Sequence, residues 1–433
     1  MSGNNRIMIA APSSGSGKTT VTMALRQIFK ERGMETASFK CGPDYIDAMY
    51  HESSNLDLYM SQENTVKYLL CRHAEQADIA VIEGVMGYYD GKSFDSLSGS
   101  SYEIAKVTDT PVILVLNCKG MAHSIIPYIN GFVNYVKDSH IEGVILNNIT
   151  KSTYERIKPL ITGVKVCGYV PGLPENLIFE SRHLGLMTPH DRELLQEKTK
   201  QLAAVLSDTL DIEAIMEVSG RAEKLSYTQP EIVRYDEGIH VAVAYDEAFC
   251  FYYRDNLQLL EDMGAKIRFF SPLRDKTLPE NTDFLYIGGG YPEVFEERLR
   301  ANKEMIQSIR DYCKSGKVYM AECGGFMYLM MCDIIKGSME NKGHLVRFGY
   351  ITVTGTQDTL LAPAGTAIRC HEFHYYDTDN NGEDLTAVKT NGTTYGCGHC
   401  SATSYAGFPH IYFYNDISMA RRIYECCLST RKH

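Results

Sequence analysis

No apolar run in this sequence reaches the roughly 18 residues needed to span a bilayer, and there is no surplus of basic charge. Its 43 Lys+Arg face 54 Asp+Glu, a formal net charge of −11. The first absence argues against a membrane-spanning helix. The second argues against nucleic acid or an anionic membrane surface as the main partner. A phosphate ligand stays open, because backbone N–H groups and one or two lysines are enough to hold one. Internal repeats and low-complexity tracts are also missing. The amino-terminal MSGNNRIMIAAP has only a short apolar stretch that runs straight into a glycine loop, so it reads as a strand rather than a leader. Thirteen cysteines, an odd number scattered over the chain, read as reduced thiols in a cytoplasmic protein.

What is present is ordinary globular material: 433 residues, 44% hydrophobic and 22% charged, enough for two or three domains with their own cores. Short Val/Ile-rich runs at 6–11, 79–83, 112–117 and 143–148 alternate with helix-length segments, as in a parallel sheet covered on both faces. The stretch 191–225 is charged, Leu/Ala-spaced and reads as helical. A polar segment with Pro230 follows, and strand-like alternation resumes at Ile239. Further strands are expected at 239–245, 266–270, 284–287 and 318–321. The expected fold is therefore α/β in two domains, 1–230 and 238–433.

The first strand runs into Pro12-Ser-Ser-Gly15-Ser-Gly17-Lys18-Thr19-Thr20 and then a helical segment, which is the context of a P-loop. Gly15 and Gly17 let backbone amides close around phosphates, Lys18 suits the β- and γ-phosphates, and the Thr19 hydroxyl suits Mg²⁺. Pro12 stands where the first glycine of the usual loop belongs. An acidic partner for the metal is expected at the end of another strand, and Glu83 closes one as a Walker B carboxylate does. Asp44 and Asp47 follow Lys40 and a Gly-Pro bend, and Asp90 lies on the same rim. Each acid alone would pass for a turn or cap residue, but all four follow strands of one P-loop sheet. Asn147, in an Asn-Asn pair, suits either an adenine edge or a plain asparagine turn.

The second half carries a different chemistry. Strand 318–321 leads into Glu322-Cys323-Gly-Gly and a helix, the thiol form of a nucleophile elbow. The helix dipole and a histidine are expected to lower the thiol pKa and supply thiolate. Upstream, Gly288-Gly289-Gly290 ends another strand, and its amides suit an oxyanion hole. His410, beside an aromatic strand-like run, is the expected base. His371 and His374 read as substrate-facing residues away from that rim. Cys397 and Cys400 have zinc-like spacing, but without a second such pair metal binding is not expected there.

Together APSSGSGKTT, KCGPDYID, EGVMGYYDG, SRHLGL, AFCFYYRDNL, FFSPLRD, GGGYPE, AECGGFMYL and HEFHYY resemble the cobyrinic acid a,c-diamide synthase family, collinear over essentially the whole chain. The resemblance implies a dethiobiotin-synthetase-like ATPase domain joined to a class I-type glutaminase domain. It also implies ATP- and Mg²⁺-dependent amidation of the a and c acetate groups of a corrinoid tetrapyrrole, with glutamine supplying nitrogen through acyl phosphates. Carried over by residue, Gly15, Gly17, Lys18, Thr19, Thr20 and Asn147 hold nucleotide, and Thr19, Asp44 and Glu83 hold metal. Cys323 and His410 act on glutamine, with Gly289 and Gly290 at its amide. Asp44, Asp47, Glu83 and Asp90 serve the synthetase reaction, and Lys40, Tyr45 and His183 face substrate.

Two departures stand out. Ala321 replaces a glycine usual before the elbow, and Tyr412 occupies the place where related glutaminases carry a triad glutamate, so the resemblance implies a Cys–His dyad. The same chemistry on Ni-sirohydrochlorin or hydrogenobyrinic acid is an alternative, and the sequence leaves room for a homo-oligomer. A non-enzymatic ATP switch is a further alternative. It fits poorly, since such switches carry an early loop lysine where Ser13 stands, and both Cys323 and His410 are kept.

Overall fold

A computed structural model describes residues 5–43, 54–179 and 189–431. The chain divides into two compact units, Met1–Pro230 and Glu231–His433.

In the first unit seven strands form one sheet: β1 (Arg6–Ala10), β2 (Thr36–Cys41), β3 (Ser54–Leu56), β4 (Ile79–Glu83), β5 (Val112–Asn117), β6 (Ile141–Asn147) and β7 (Lys165–Val170). Their order is β3-β2-β4-β1-β5-β6-β7, and every pairing is parallel. β1 and β4 are buried at every position, which explains why they read as unbroken apolar runs. Helix α1 (Lys18–Glu31) packs Val21, Leu25 and Ile28 against β1 and β4 in the unit's core. The half-exposed, apolar helix α2 (Ile125–Asn134) follows β5.

The helical reading of 191–225 needs correction. There are two helices, α3 (Pro189–Ser207) and α4 (Ile212–Ser219), and residues 222–235 are irregular. The break forms because the chain is drawn onto β7. Leu210 bridges Gly168, and the Asp211 amide donates to the Cys167 carbonyl (2.9 Å). The Asp211 side chain then caps α4 by accepting from the Ala214 amide (3.0 Å), a competing local bond that aspartate favours over the helix interior.

The second unit contains β8 (His240–Ala244), β9 (Phe249–Phe251), β10 (Lys266–Phe270), β11 (Phe284–Ile287), β12 (Gly289–Gly290) and β13 (Val318–Glu322). These are followed by β14 (Met339–Asn341), β15 (Arg347–Gly355), β16 (Ala367–His374), β17 (Tyr376–Thr378), β18 (Leu385–Lys389), β19 (Thr394–Cys397), β20 (His399–Cys400), β21 (Ser404–Gly407) and β22 (His410–Ile411). One sheet runs β10-β8-β11-β13-β21-β20, parallel except at its β20 edge. A second, antiparallel sheet, β19-β18-β15-β16-β22, was not anticipated. It is amphipathic: along β15 buried positions alternate with partly exposed ones from Tyr350 onward.

Helix α5 (Gly324–Met331) is buried along its whole length and springs directly from β13. Its first turn lies hard against the end of β11: a Cβ on Gly325 would stand 2.1 Å from the Ile287 carbonyl oxygen. Backbone on both sides leaves nothing to yield. Gly325→Ala is therefore expected to destabilise the second unit by about 3 kcal/mol, the upper end of ordinary overpacking. Chemical denaturation checks this, and an unchanged midpoint would contradict the packing described.

Candidate active sites

After β1 the chain turns through Pro12–Gly17 and enters α1 at Lys18. Gly17 caps the helix at φ +99°, and a Cβ there would stand 2.4 Å from Asn147 Nδ2, so both backbone angle and space require glycine. Asn147, at the end of β6, donates from Nδ2 to the Ser16 carbonyl (2.8 Å) and accepts the Asn148 amide on Oδ1 (2.8 Å). Its amide thus braces the P-loop. Gly15 sits at the loop tip at φ +73°, with open space around it, and Thr20 is buried in the first turn of α1. Lys18 is buried, with Nζ donating to the carbonyls of Ser13 (3.2 Å) and Met86 (2.5 Å).

Glu83, only 1% exposed, ends β4 beside the loop. Its Oε1 accepts from the Thr19 hydroxyl (2.6 Å) and from Lys40 Nζ (2.8 Å). Lys40 and Glu83 are register partners in β2 and β4, which puts both side chains on one face at the strands' ends. The Thr19 hydroxyl and Glu83 carboxylate give a phosphate loop two hard oxygen donors. That is the partial donor set a Mg²⁺ completes with phosphate oxygens and water, so these residues fit that ion.

Asp90 accepts the Gly87 amide on Oδ2 (2.9 Å) and closes the 87–90 turn. It also lines a cavity of about 550 Å³ that begins at Pro12 of the P-loop. The walls are aromatic: Tyr89, Phe94, Tyr128, Phe132 and Tyr135. The Tyr89 and Phe132 rings stack at 5.6 Å, and Phe94 is fully exposed. Sequence reading missed this cluster because its members come from two separate segments, the 89–94 loop and the region of α2. Asp44, Tyr45, Asp47 and His183 lie outside the described residues.

In the second unit Cys323 stands between β13 and α5 at φ +48°, ψ −104°. A non-glycine residue held there is strained, and such strain is a mark of an elbow that lifts a nucleophile clear of its strand. The triple glycine packs against it. A Cβ on Gly324 would stand 2.8 Å from the Gly290 amide nitrogen, and one on Gly289 would meet His410 Cε1 at 2.6 Å. The structure thus gathers Cys323, Gly289, Gly290 and His410 at one place.

Two expectations fail here. The thiol is not primed as thiolate. Burial, then the Glu293, Glu322 and Glu372 carboxyls, push the Cys323 pKa up, and an eight-residue helix does not offset them. His410 is likewise held neutral, lowered to about 3 by burial and by His371 and His374. Nor do His371 and His374 stand apart from the rim: His371 is the cross-strand partner of His410 in β16–β22, and both are buried. The His374 ring stacks on Phe408 at 3.8 Å, and its Nδ1 lies 2.6 Å from the Tyr376 carbonyl.

Two carboxyls went unnoticed in the sequence. Glu293 is raised to about 7 by burial. Glu322 is raised to about 8, also by burial, against the pull of its Ile411 and Tyr286 hydrogen bonds. Only its adjacency to Cys323 could have drawn attention to Glu322.

A phosphate loop with its acidic partner, followed by a strained cysteine beside a glycine turn and a histidine, defines an ATP-using glutamine amidotransferase. Residues 7–184 match the CobQ/CobB/MinD/ParA nucleotide binding domain, and residues 240–417 match the CobB/CobQ-like glutamine amidotransferase domain. The chain is 37% identical to the cobyrinate a,c-diamide synthase of Clostridium acetobutylicum, over 96% of this chain and 99% of that one. With the enzyme of the same name from Listeria monocytogenes it is 38% identical, over 97% and 99%. The chain belongs to the cobyrinate a,c-diamide synthase family. It is an enzyme, a ligase that forms carbon–nitrogen bonds with glutamine as amide donor, which sets aside the non-enzymatic switch.

Because Asn147 braces the loop through one hydrogen bond, Asn147→Ala is expected to raise the KM for ATP about fivefold, the worth of about 1 kcal/mol. Glutaminase activity should not change. Initial rates at varied ATP test this, and an unchanged KM would remove Asn147 from nucleotide binding.

Proposed function

We propose that the protein converts cobyrinic acid to its a,c-diamide in corrinoid biosynthesis, activating each acetate carboxylate with ATP and drawing ammonia from glutamine. The observation that carries this reading is the pairing of the Lys18/Thr19/Glu83 loop with the Cys323 elbow in one chain that aligns end to end with synthases of that name. The thirteen cysteines, none of them in a disulfide, support a reducing compartment such as the cytoplasm.

A carboxylate does not react usefully with ammonia. In the first unit a substrate carboxylate oxygen attacks the γ-phosphorus of ATP, ADP leaves, and an acyl phosphate forms. Lys18 offsets charge on the transferring group, and Glu83 fixes the Thr19 hydroxyl and Lys40 at its edge. Mg²⁺, when bound, adds charge neutralisation at the phosphates, with Thr19 and Glu83 as the residues to hold it. Ammonia then attacks the acyl carbon and phosphate leaves.

In the second unit His410 takes the Cys323 proton as sulfur attacks the glutamine amide carbon. The Gly289–Gly290 backbone supports the oxyanion, and His410 returns the proton to departing ammonia. Water hydrolyses the thioester and releases glutamate.

The aromatic cavity supports a flat macrocycle as substrate. Rings of Phe94, Tyr128 and Phe132 offer stacking faces, and Asp90 and Pro12 join the cavity to the phosphate loop, where a side-chain carboxylate must arrive.

Cys323→Ser is expected to abolish amidation with glutamine and to leave it largely intact with ammonium salts, whereas Lys18→Ala should remove both. Assays of cobyrinic acid, hydrogenobyrinic acid and Ni-sirohydrochlorin with ATP and Mg²⁺ test the reading. Turnover of another tetrapyrrole in preference to cobyrinic acid would replace the proposed substrate. Phe94→Ala, at a fully exposed position, should raise the KM for the tetrapyrrole about fivefold, from lost stacking of about 1 kcal/mol, with the KM for ATP unchanged. Unchanged tetrapyrrole affinity would place the macrocycle elsewhere.

A further inference from the structure

Glu322 is an ionisable residue where packing alone would favour an apolar one. It ends β13, is 1% exposed, and is flanked by the buried Ala321 and Cys323. Carboxylates are almost never so deeply buried without a partner, because loss of hydration penalises the charge. Its Oε1 accepts the Ile411 amide (2.8 Å), and its Oε2 accepts the Tyr286 hydroxyl (3.0 Å). The same Oε2 lies 3.9 Å from His410 Nδ1. The opposite edge of that ring, Cε1 and Nε2, faces Gly289 beside the elbow. His410 is thus held between a carboxyl on one side and the glutamine site on the other.

The position where related glutaminases carry their third residue belongs here to Tyr412, whose hydroxyl is bonded to Asp255 Oδ2 (3.2 Å). That side chain is committed to a different element. We propose that Glu322, the residue immediately before the nucleophile, is the positioning group for His410. It favours the ring proton on Nδ1, which leaves the basic lone pair on Nε2 to take the Cys323 proton. As the thiol proton moves to Nε2 the ring becomes cationic, and the carboxylate beside Nδ1 offsets that charge in a site closed to water. The proton returns from Nε2 to the leaving ammonia, and it is the ionised form of Glu322, disfavoured at rest by burial, that acts in this way. The inference rests on the reading of Cys323 and His410 as a glutaminase pair.

Glu322→Gln makes a sharp test, because its hydrogen bonds dictate how the amide must lie. The Ile411 N–H requires an oxygen at the Oε1 position, so the NH₂ falls at the Oε2 position and points at Tyr286 and His410. Tyr286 can rotate its hydroxyl to accept, and the fold keeps its bonds. His410 Nδ1 then faces an N–H donor rather than an acceptor, and the ring proton is driven to Nε2, the wrong tautomer for a base.

The expected result is a fall of about 100-fold or more in glutamine-dependent kcat, with the KM for glutamine, the thermal midpoint and ammonia-dependent amidation near wild type. Glu322→Asp restores the carboxylate but shortens it. It should be less stable than the Gln variant yet recover at least tenfold of the lost kcat. A merely structural Glu322 would give the reverse order, with activity following stability, and that outcome overturns the proposal, as would wild-type kcat in Glu322→Gln. A Cys323→Ala control separates the two levels. If it still uses glutamine, the glutaminase reading itself fails; if it does not while Glu322→Gln remains fully active, only the role of Glu322 fails.

Discussion

Parallel strand direction is the constraint on which both candidate sites depend. In a parallel sheet every strand delivers its carboxyl end to the same edge, and a ligand crevice opens outside that edge. In the first unit, β1 delivers the P-loop there, while β2 and β4 deliver Lys40 and Glu83 in register. In the second, β11 and β13 deliver the triple glycine and Cys323, and β21 leads at once to His410. Shifting any of these strands by one residue would turn its terminal side chain to the other face and dismantle the site. The chemistry of each unit is a consequence of strand register before it is a matter of side-chain identity.

The parts of this arrangement that are local in sequence were legible without a structure. The P-loop and the elbow each occupy fewer than a dozen consecutive residues, and their glycines are dictated by backbone geometry at Gly17 and Gly325. Buried parallel strands also declare themselves, because burial on both faces leaves no polar positions. What stayed hidden depends on contacts made across long loops. Glu322 meets His410 only because β22 pairs with β16 and so places Ile411 beside the elbow. His371 was read as substrate-facing and away from the rim for the same reason: the pairing that puts it beside His410 belongs to an antiparallel sheet with no motif of its own. Asn147 was ambiguous because an asparagine at a strand end fits a turn as well as a ligand, and its 2.8 Å bond to Ser16 is visible only once β6 and the P-loop are brought together.

The failed expectation of a ready thiolate is instructive about magnitude. A helix N-terminus and a histidine both favour ionised sulfur, and sequence shows both. It does not show that the helix is eight residues long and buried throughout, or that three carboxyl groups bear on the thiol. Dipole effects at helix ends are worth about 0.3–1 kcal/mol in ordinary settings, and full desolvation of an anion is worth several times more. Desolvation wins, and the resting pair is a neutral thiol and a neutral imidazole.

That outcome sets the two units apart in a way that fits what each must handle. The first unit meets ligands that are already ions, so its charges, Lys18, Lys40 and Glu83, stand ready in fixed positions before any ligand arrives. In the second unit the reacting group is glutamine's uncharged side-chain amide, and new charge arises on it only while bonds are changing. A site kept neutral by burial, with amide dipoles at Gly289 and Gly290 and a carboxyl behind the imidazole, responds to charge only when charge appears. Stabilisation of that kind favours the transition state over the bound substrate, and only such a difference accelerates the chemical step.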